Sequence, residues 1–200
     1  MDALTSTLLD PANHDLLALL KGFRNGIVYG AKIRFPHALV MTFLFRDGPL
    51  SAKLNFIFDA TRQHSWNLGR FVLIYKSLLL AIRRMRGAGG KEEKWDAFAA
   101  GTIGGYLIFG ANNNINQQIV LYLFSRILIG MAKYAVKSGV IPEPVQDPFP
   151  AFAAVVWGIV MWLFRHHRDT LQSSLQASMQ YLYNDSDVWK SLYTLLWHNK

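Results

Sequence analysis

The 200-residue chain is 52% apolar and 14% aromatic with only 17% charged residues, a balance too greasy for an ordinary soluble domain of this length. Its formal charge of +8 is not gathered on one polar face, which excludes the usual footprint of a nucleic-acid binder. The absence of cysteine removes disulfides, thiolate metal sites and cysteine nucleophiles.

Residues 1–13 read as a polar lead without the basic start of a secretory signal, and no arginine precedes Arg24, unlike a mitochondrial presequence. Asn13 is the expected N-cap of a helix from His14. From Asp15 to Phe45 the chain is apolar but carries Lys21, Arg24, Lys32 and Arg34, and Pro36 interrupts it. One tilted span over about 22–45 fits this pattern. Two helices meeting at Pro36 fit the four cations better, because Lys32 and Arg34 then lie near a helix end. Gly22, Gly26 and Gly30, four apart, form a ridge on one helix face along which another backbone can pack.

Arg46-Asp47-Gly48-Pro49 is a turn by composition. Residues 51–63 have the pattern of an amphipathic interfacial helix, and Trp66–Ile82 that of the next span, with Trp66 and Tyr75 as interfacial anchors. His64, Ser65 and Asp59 contain the residue types of a catalytic triad, but no nucleophile elbow accompanies them. The segment 83–94 is a basic loop with a glycine-rich linker at Gly87–Gly90; its five cations against two acids assign it to the cytosol.

Residues 95–110 predict a short helix with a second small-residue ridge, Ala97, Gly101 and Gly105. Asn112-Asn113-Asn114 breaks it, and a helix follows over about Ile115–Val136. Its polar residues Asn116, Gln117, Gln118, Ser125 and Arg126 are candidates for the wall of a polar concavity, and Arg126 fits equally a snorkelling side chain on a tilted or shallow helix. A proline-rich loop leads to a last apolar segment, Phe149–Phe164, ended by Arg165-His166-His167-Arg168. Adjacent histidines diverge by about 100° on a helix, so this is read as a basic interfacial cluster, with no metal site. If every segment crosses, Arg165 and Arg168 fall on the side opposite the basic loop, so either Phe149–Phe164 is re-entrant or an earlier segment does not cross. The tail 169–200 is polar with an apolar stripe at Leu171, Leu175, Met179 and Leu182, the spacing of a docking face.

Lys91, Glu92, Glu93, Lys94, Trp95 and Asp96, followed by Gly101 and Gly104-Gly105, resemble the elbow and third span of the translocase-channel subunits of the mitochondrial inner membrane. The Gly22/Gly26/Gly30 ridge resembles that family's first span. A peroxisomal branch of the superfamily is closer still, through the runs 20–26, 37–46, 112–116, 141–144, 147–150 and 181–183, and the likeness covers nearly the whole chain. The family's arginine and aspartate three residues apart are not reproduced at the expected spacing, so protein translocation is not carried over.

The resemblance implies an all-α membrane bundle of four or five spans with glycine-ridged packing, spanning 14–168 between the polar lead and the 169–200 tail. It implies the peroxisomal membrane, with the mitochondrial inner membrane as the alternative. A membrane scaffold or pore-like component is the expected role, against a subunit of a translocation complex or an adaptor recruiting partners through its tail. Expected partners are the lipid bilayer, a peroxisomal membrane-import receptor and a second copy of the chain, with no nucleic acid. Neither cofactor nor catalytic residue is expected.

Overall fold

A computed structural model describes Thr5, residues 8–87 and residues 91–197. Part of the glycine-rich linker expected at Gly87–Gly90 lies outside the described residues, as does the end of the tail. Among the described residues the chain is all helix and turn, with no strand. The longer helices are α1 (His14–Phe45), α2 (Leu50–Met85), α3 (Asp96–Phe109), α4 (Asn114–Lys137) and α5 (Phe149–His166). Two short ones, α6 (Ser173–Met179) and α7 (Leu192–Leu196), follow in the tail. Contacts divide the chain into two units, Met1–Ala132 and Lys133–Lys200.

In the first unit, α1 is capped one turn earlier than expected. Asp10 accepts a hydrogen bond from the Ala12 amide at 2.9 Å and opens a single turn of 3₁₀ helix, Pro11–Asn13, that leads into α1. Pro36 does not divide α1, which runs through it for 32 residues. A proline inside a helix loses its own N–H bond and sets its ring against the carbonyl four residues back, a cost that surrounding packing has to offset. Here the turns on either side are held by packing, since Gly30 and Ala38 are both buried.

The expected break between an interfacial helix over 51–63 and a span from Trp66 is also absent. Residues 50–85 form one helix of 36 residues, about 54 Å long. No proline or turn pair interrupts this stretch, so nothing in the backbone ends the helix at residue 63 or 64.

α1 and α2 form an antiparallel hairpin whose faces meet through small residues. Gly22, Gly26, Gly30, Ala38 and Thr42 of α1 are buried, as are Ile57, Ala60, Ser65 and Gly69 of α2. The contact is backbone on backbone: a Cβ added at Gly26 would stand 2.7 Å from Cα of Gly69, and one at Gly30 2.7 Å from Cα of Ser65. Glycine at these positions lets the axes close to a distance that any side chain would forbid, which maximises dispersion contact along the seam.

α3 packs on α2 through Ala100, Gly104 and Ile108, with Phe71 lying against Gly104. Phe71 also meets Phe109, the ring centroids 5.6 Å apart. α4 begins where Asn113 accepts hydrogen bonds from the amides of Ile115 and Asn116 at 3.1 and 3.0 Å, an N-cap that accounts for the asparagine break. By length and composition α4 and α5 can each cross a membrane, while α3 is apolar but only 14 residues long.

In the second unit, Phe164 at the end of α5 and Met179 at the end of α6 are buried, and Phe164 meets Tyr183 with centroids 6.3 Å apart. Arg168 donates to Gln180 at 2.7 Å. The tail is broken into α6, a π-helical turn over Gln180–Asn184, a 3₁₀ turn and α7, rather than one amphipathic helix.

Candidate functional site: a polar helix face beside a groove on the helical hairpin

Along α2, Asn55, Asp59, Arg62, Gln63, Trp66 and Arg70 recur at helical spacing, and all are exposed. Their face borders an open groove of about 730 Å³ lined by Ile27 and Ala31 of α1 and by Phe58, Asp59, Thr61, Arg62, Gln63, Ser65, Trp66 and Asn67 of α2; most of the lining surface is apolar. The face carries both signs of charge and an amide, so it binds water well and is costly to leave against lipid.

A second polar layer links the hairpin to the start of α4. Arg34 donates to Oε1 of Gln118 at 2.9 Å, and Nδ2 of Asn67 donates to Oδ1 of Asn116 at 3.3 Å. Asn116 is buried, and its own amide donates to the Ala111 carbonyl at 3.0 Å. Of the residues expected to line a cavity, Asn116 and the neighbouring Gln118 join this layer. Gln117 instead bonds Asn112, Ser125 donates to the Tyr122 carbonyl at 2.7 Å, and Arg126 lies over the Tyr122 ring at 5.1 Å; all three are exposed.

The triad-like residues have other partners. Ser65 donates to the Thr61 carbonyl at 2.7 Å, the His64 ring faces Gly30, and Asp59 is turned to the groove. His166 and His167 both meet the Trp162 ring at a tilt, with centroids 5.9 and 4.9 Å away.

The two small-residue stripes have different surroundings. Gly22, Gly26 and Gly30 face α2, whereas a Cβ at Gly101 or Gly105 would meet no atom within 4 Å. The packed face of α3 is the parallel stripe one residue earlier, Asp96, Ala100, Gly104 and Ile108, and Ala97 is only partly covered.

The elbow is an ion-pair knot. Asp96 is buried and takes both terminal nitrogens of Arg86, one of them at 2.6 Å, together with the Glu93 amide at 2.8 Å. Arg86 also donates to the Lys91 carbonyl at 3.2 Å and has Glu93 at 3.5 Å. The Arg86 hydrogen bond, then the Glu93 amide, hold the Asp96 carboxyl below the ordinary aspartate value, and Asp96 in turn raises that of Arg86. Trp95 is exposed and meets Phe98 edge-on, at 5.8 Å. Nearby, Arg83 and Arg84 reach Asp15 at 2.9 and 3.4 Å, and Lys76 donates to the Ala18 carbonyl at 2.7 Å. Asp15, Ala18, Lys76 and Arg83, with Glu92 and Asp96, line a hollow of about 280 Å³ at the end of the hairpin. Sequence spacing did not reveal these pairs, because Arg86 and Asp96 stand ten residues apart across a loop and Asp15 and Arg83 on different helices.

The family model described as Tim17/Tim22/Tim23/Pmp24 matches residues 11–125, more than half of the chain and all of the hairpin, α3 and the start of α4. The chain belongs to this family. It is 54% identical over 198 residues to peroxisomal membrane protein 4 of Bos taurus, covering 99% of this chain and 92% of the relative. To peroxisomal membrane protein 4 of Homo sapiens it is 58% identical over 187 residues, covering 94% and 87%. At that identity and coverage the chain is a peroxisomal membrane protein. No solved structure matches it.

Proposed function

We propose that the chain is a scaffold or pore-like component of the peroxisomal membrane, a bundle of four or five membrane helices without catalytic residues. The observation that carries this reading is the exposed polar face of α2, Asn55 to Arg70, beside a groove of about 730 Å³. In a membrane protein such a face needs water or a protein partner, since lipid can satisfy neither charge nor amide. The glycine-packed seam and the Asn67–Asn116 and Arg34–Gln118 bonds support a wall of fixed shape around it. Liposomes carrying the protein are expected to pass small hydrophilic solutes faster than empty liposomes. Equal flux would remove the pore and leave the scaffold.

A second reading, an adaptor that recruits partners through its tail, is favoured by the apolar surface of Val188, Trp189, Leu192, Leu195, Leu196 and Trp197, all exposed. Deletion of residues 169–200 separates the two. An adaptor loses its partners, whereas a pore keeps its flux.

A further inference from the structure

We propose that Arg34, with His64 beside it, is the binding point for an anionic oxygen group, a carboxylate or phosphate, at the middle of the hairpin. The proposal rests on the reading that α1 and α2 lie in the membrane, but not on solute passing through it.

Arg34 lies ten residues after Arg24 and twelve before Arg46, so about 15 and 18 Å of helix separate it from those two cations. Lys32, which is exposed, precedes it by two residues on the same helix. It is half-buried and donates from one terminal nitrogen to Gln118 at 2.9 Å, while its Nε is buried without an acceptor. Among the described residues no carboxylate lies within 4.0 Å of Arg34. A guanidinium is charged at any physiological pH and costs much free energy in a low-dielectric site without a counter-charge.

The neighbours extend the same character. His64 faces Gly30, one helical turn before Arg34, with ring atom Cδ2 3.4 Å from where a Gly30 Cβ would stand. Its Nδ1 is also buried without a partner. Arg34, the Gln118 side-chain NH2 and one tautomer of His64 offer N–H donors, which suits a planar carboxylate or a phosphate and disfavours a cation. The buried Asp96 and the other paired acids are committed to arginines at the end of the hairpin.

The test uses full-length protein in phosphatidylcholine nanodiscs, with equilibrium binding of radiolabelled laurate and of radiolabelled inorganic phosphate, corrected for empty nanodiscs. Saturable binding of either probe is expected, weakened at least tenfold by Arg34→Gln and unchanged by Lys137→Gln at the far end of α4. Arg34→Lys keeps the charge and retains part of the binding, which separates lost recognition from lost folding. Laurate alone points to an amphiphile's headgroup, and phosphate alone to a water-borne anion. No saturable binding of either probe, or binding that Arg34→Gln leaves unchanged, overturns the proposal. Flux into liposomes is read separately, so binding without flux would count against the pore and not against this site.

Discussion

Gly26 and Gly69 face each other so closely that a methyl group on Gly26 would come within 2.7 Å of the Gly69 Cα and 2.9 Å of the Leu68 carbonyl oxygen. Backbone atoms cannot rotate away as a side chain does, so the clash is relieved only by moving the helices apart. Gly26→Ala and Gly30→Ala are therefore expected to destabilise the protein by about 1–3 kcal/mol each, through overpacking. Gly101→Ala and Gly105→Ala meet nothing within 4 Å. They are expected to be neutral, or to gain up to about 1 kcal/mol from helix propensity. Thermal melts of the four variants in one detergent check the contrast.

The Asn67–Asn116 bond ties α2 to α4 at 3.3 Å, with Asn116 buried. Hydrogen bonds between membrane helices couple by about 0.6 kcal/mol on average and by at most about 1.7. A double-mutant cycle on Asn67→Ala and Asn116→Ala is expected to return a coupling in that range. Asn116→Ala is expected to cost more than Asn67→Ala, because Asn116 also donates to the Ala111 carbonyl.

The elbow predicts an acid limb in the stability profile. Asp96 is held below the ordinary aspartate value, chiefly by Arg86. Its contribution is complete above the unfolded-state pKa near about 4, and is lost as pH falls through the lower folded-state value. The shift of Asp15 toward lower values, caused first by the Arg83 hydrogen bond, has the same sign. Unfolding followed between neutral pH and pH 3 is expected to show stability falling at the acid end. Asp96→Asn is expected to be less stable at neutral pH and to have a shallower acid slope.

The parts of the fold legible in the sequence were those written in local chemistry. Asn112-Asn113-Asn114 marks the α3–α4 boundary because Asn113 caps α4, and the proline-rich loop marks the start of α5. What the sequence concealed depends on tertiary packing. Pro36 suggested a break, yet helix α1 continues because packed small residues hold the turns beside it. In α3, Ala97/Gly101/Gly105 and Ala100/Gly104 are interleaved stripes of similar small residues. Spacing alone does not tell which of them meets Phe71. The polar face of α2 was missed for a related reason. Dividing α2 at residue 64 separated Asp59 and Arg62 from Arg70, and only the unbroken helix puts them on one face.

The chain contains no cysteine, so single cysteines can be introduced without a background thiol. The most direct test of a wet groove inside a membrane bundle is the reaction of Asp59→Cys, Gln63→Cys and Arg70→Cys with a membrane-impermeant maleimide in sealed proteoliposomes. Leu121→Cys and Ile127→Cys, on the exposed apolar surface of α4, serve as the lipid-facing comparison. Rapid labelling at the three α2 positions with little at the two α4 positions is the predicted result. Labelling of the α2 positions as slow as that of the α4 positions would contradict the groove, and with it the account of this protein as a scaffold or pore built around a polar concavity.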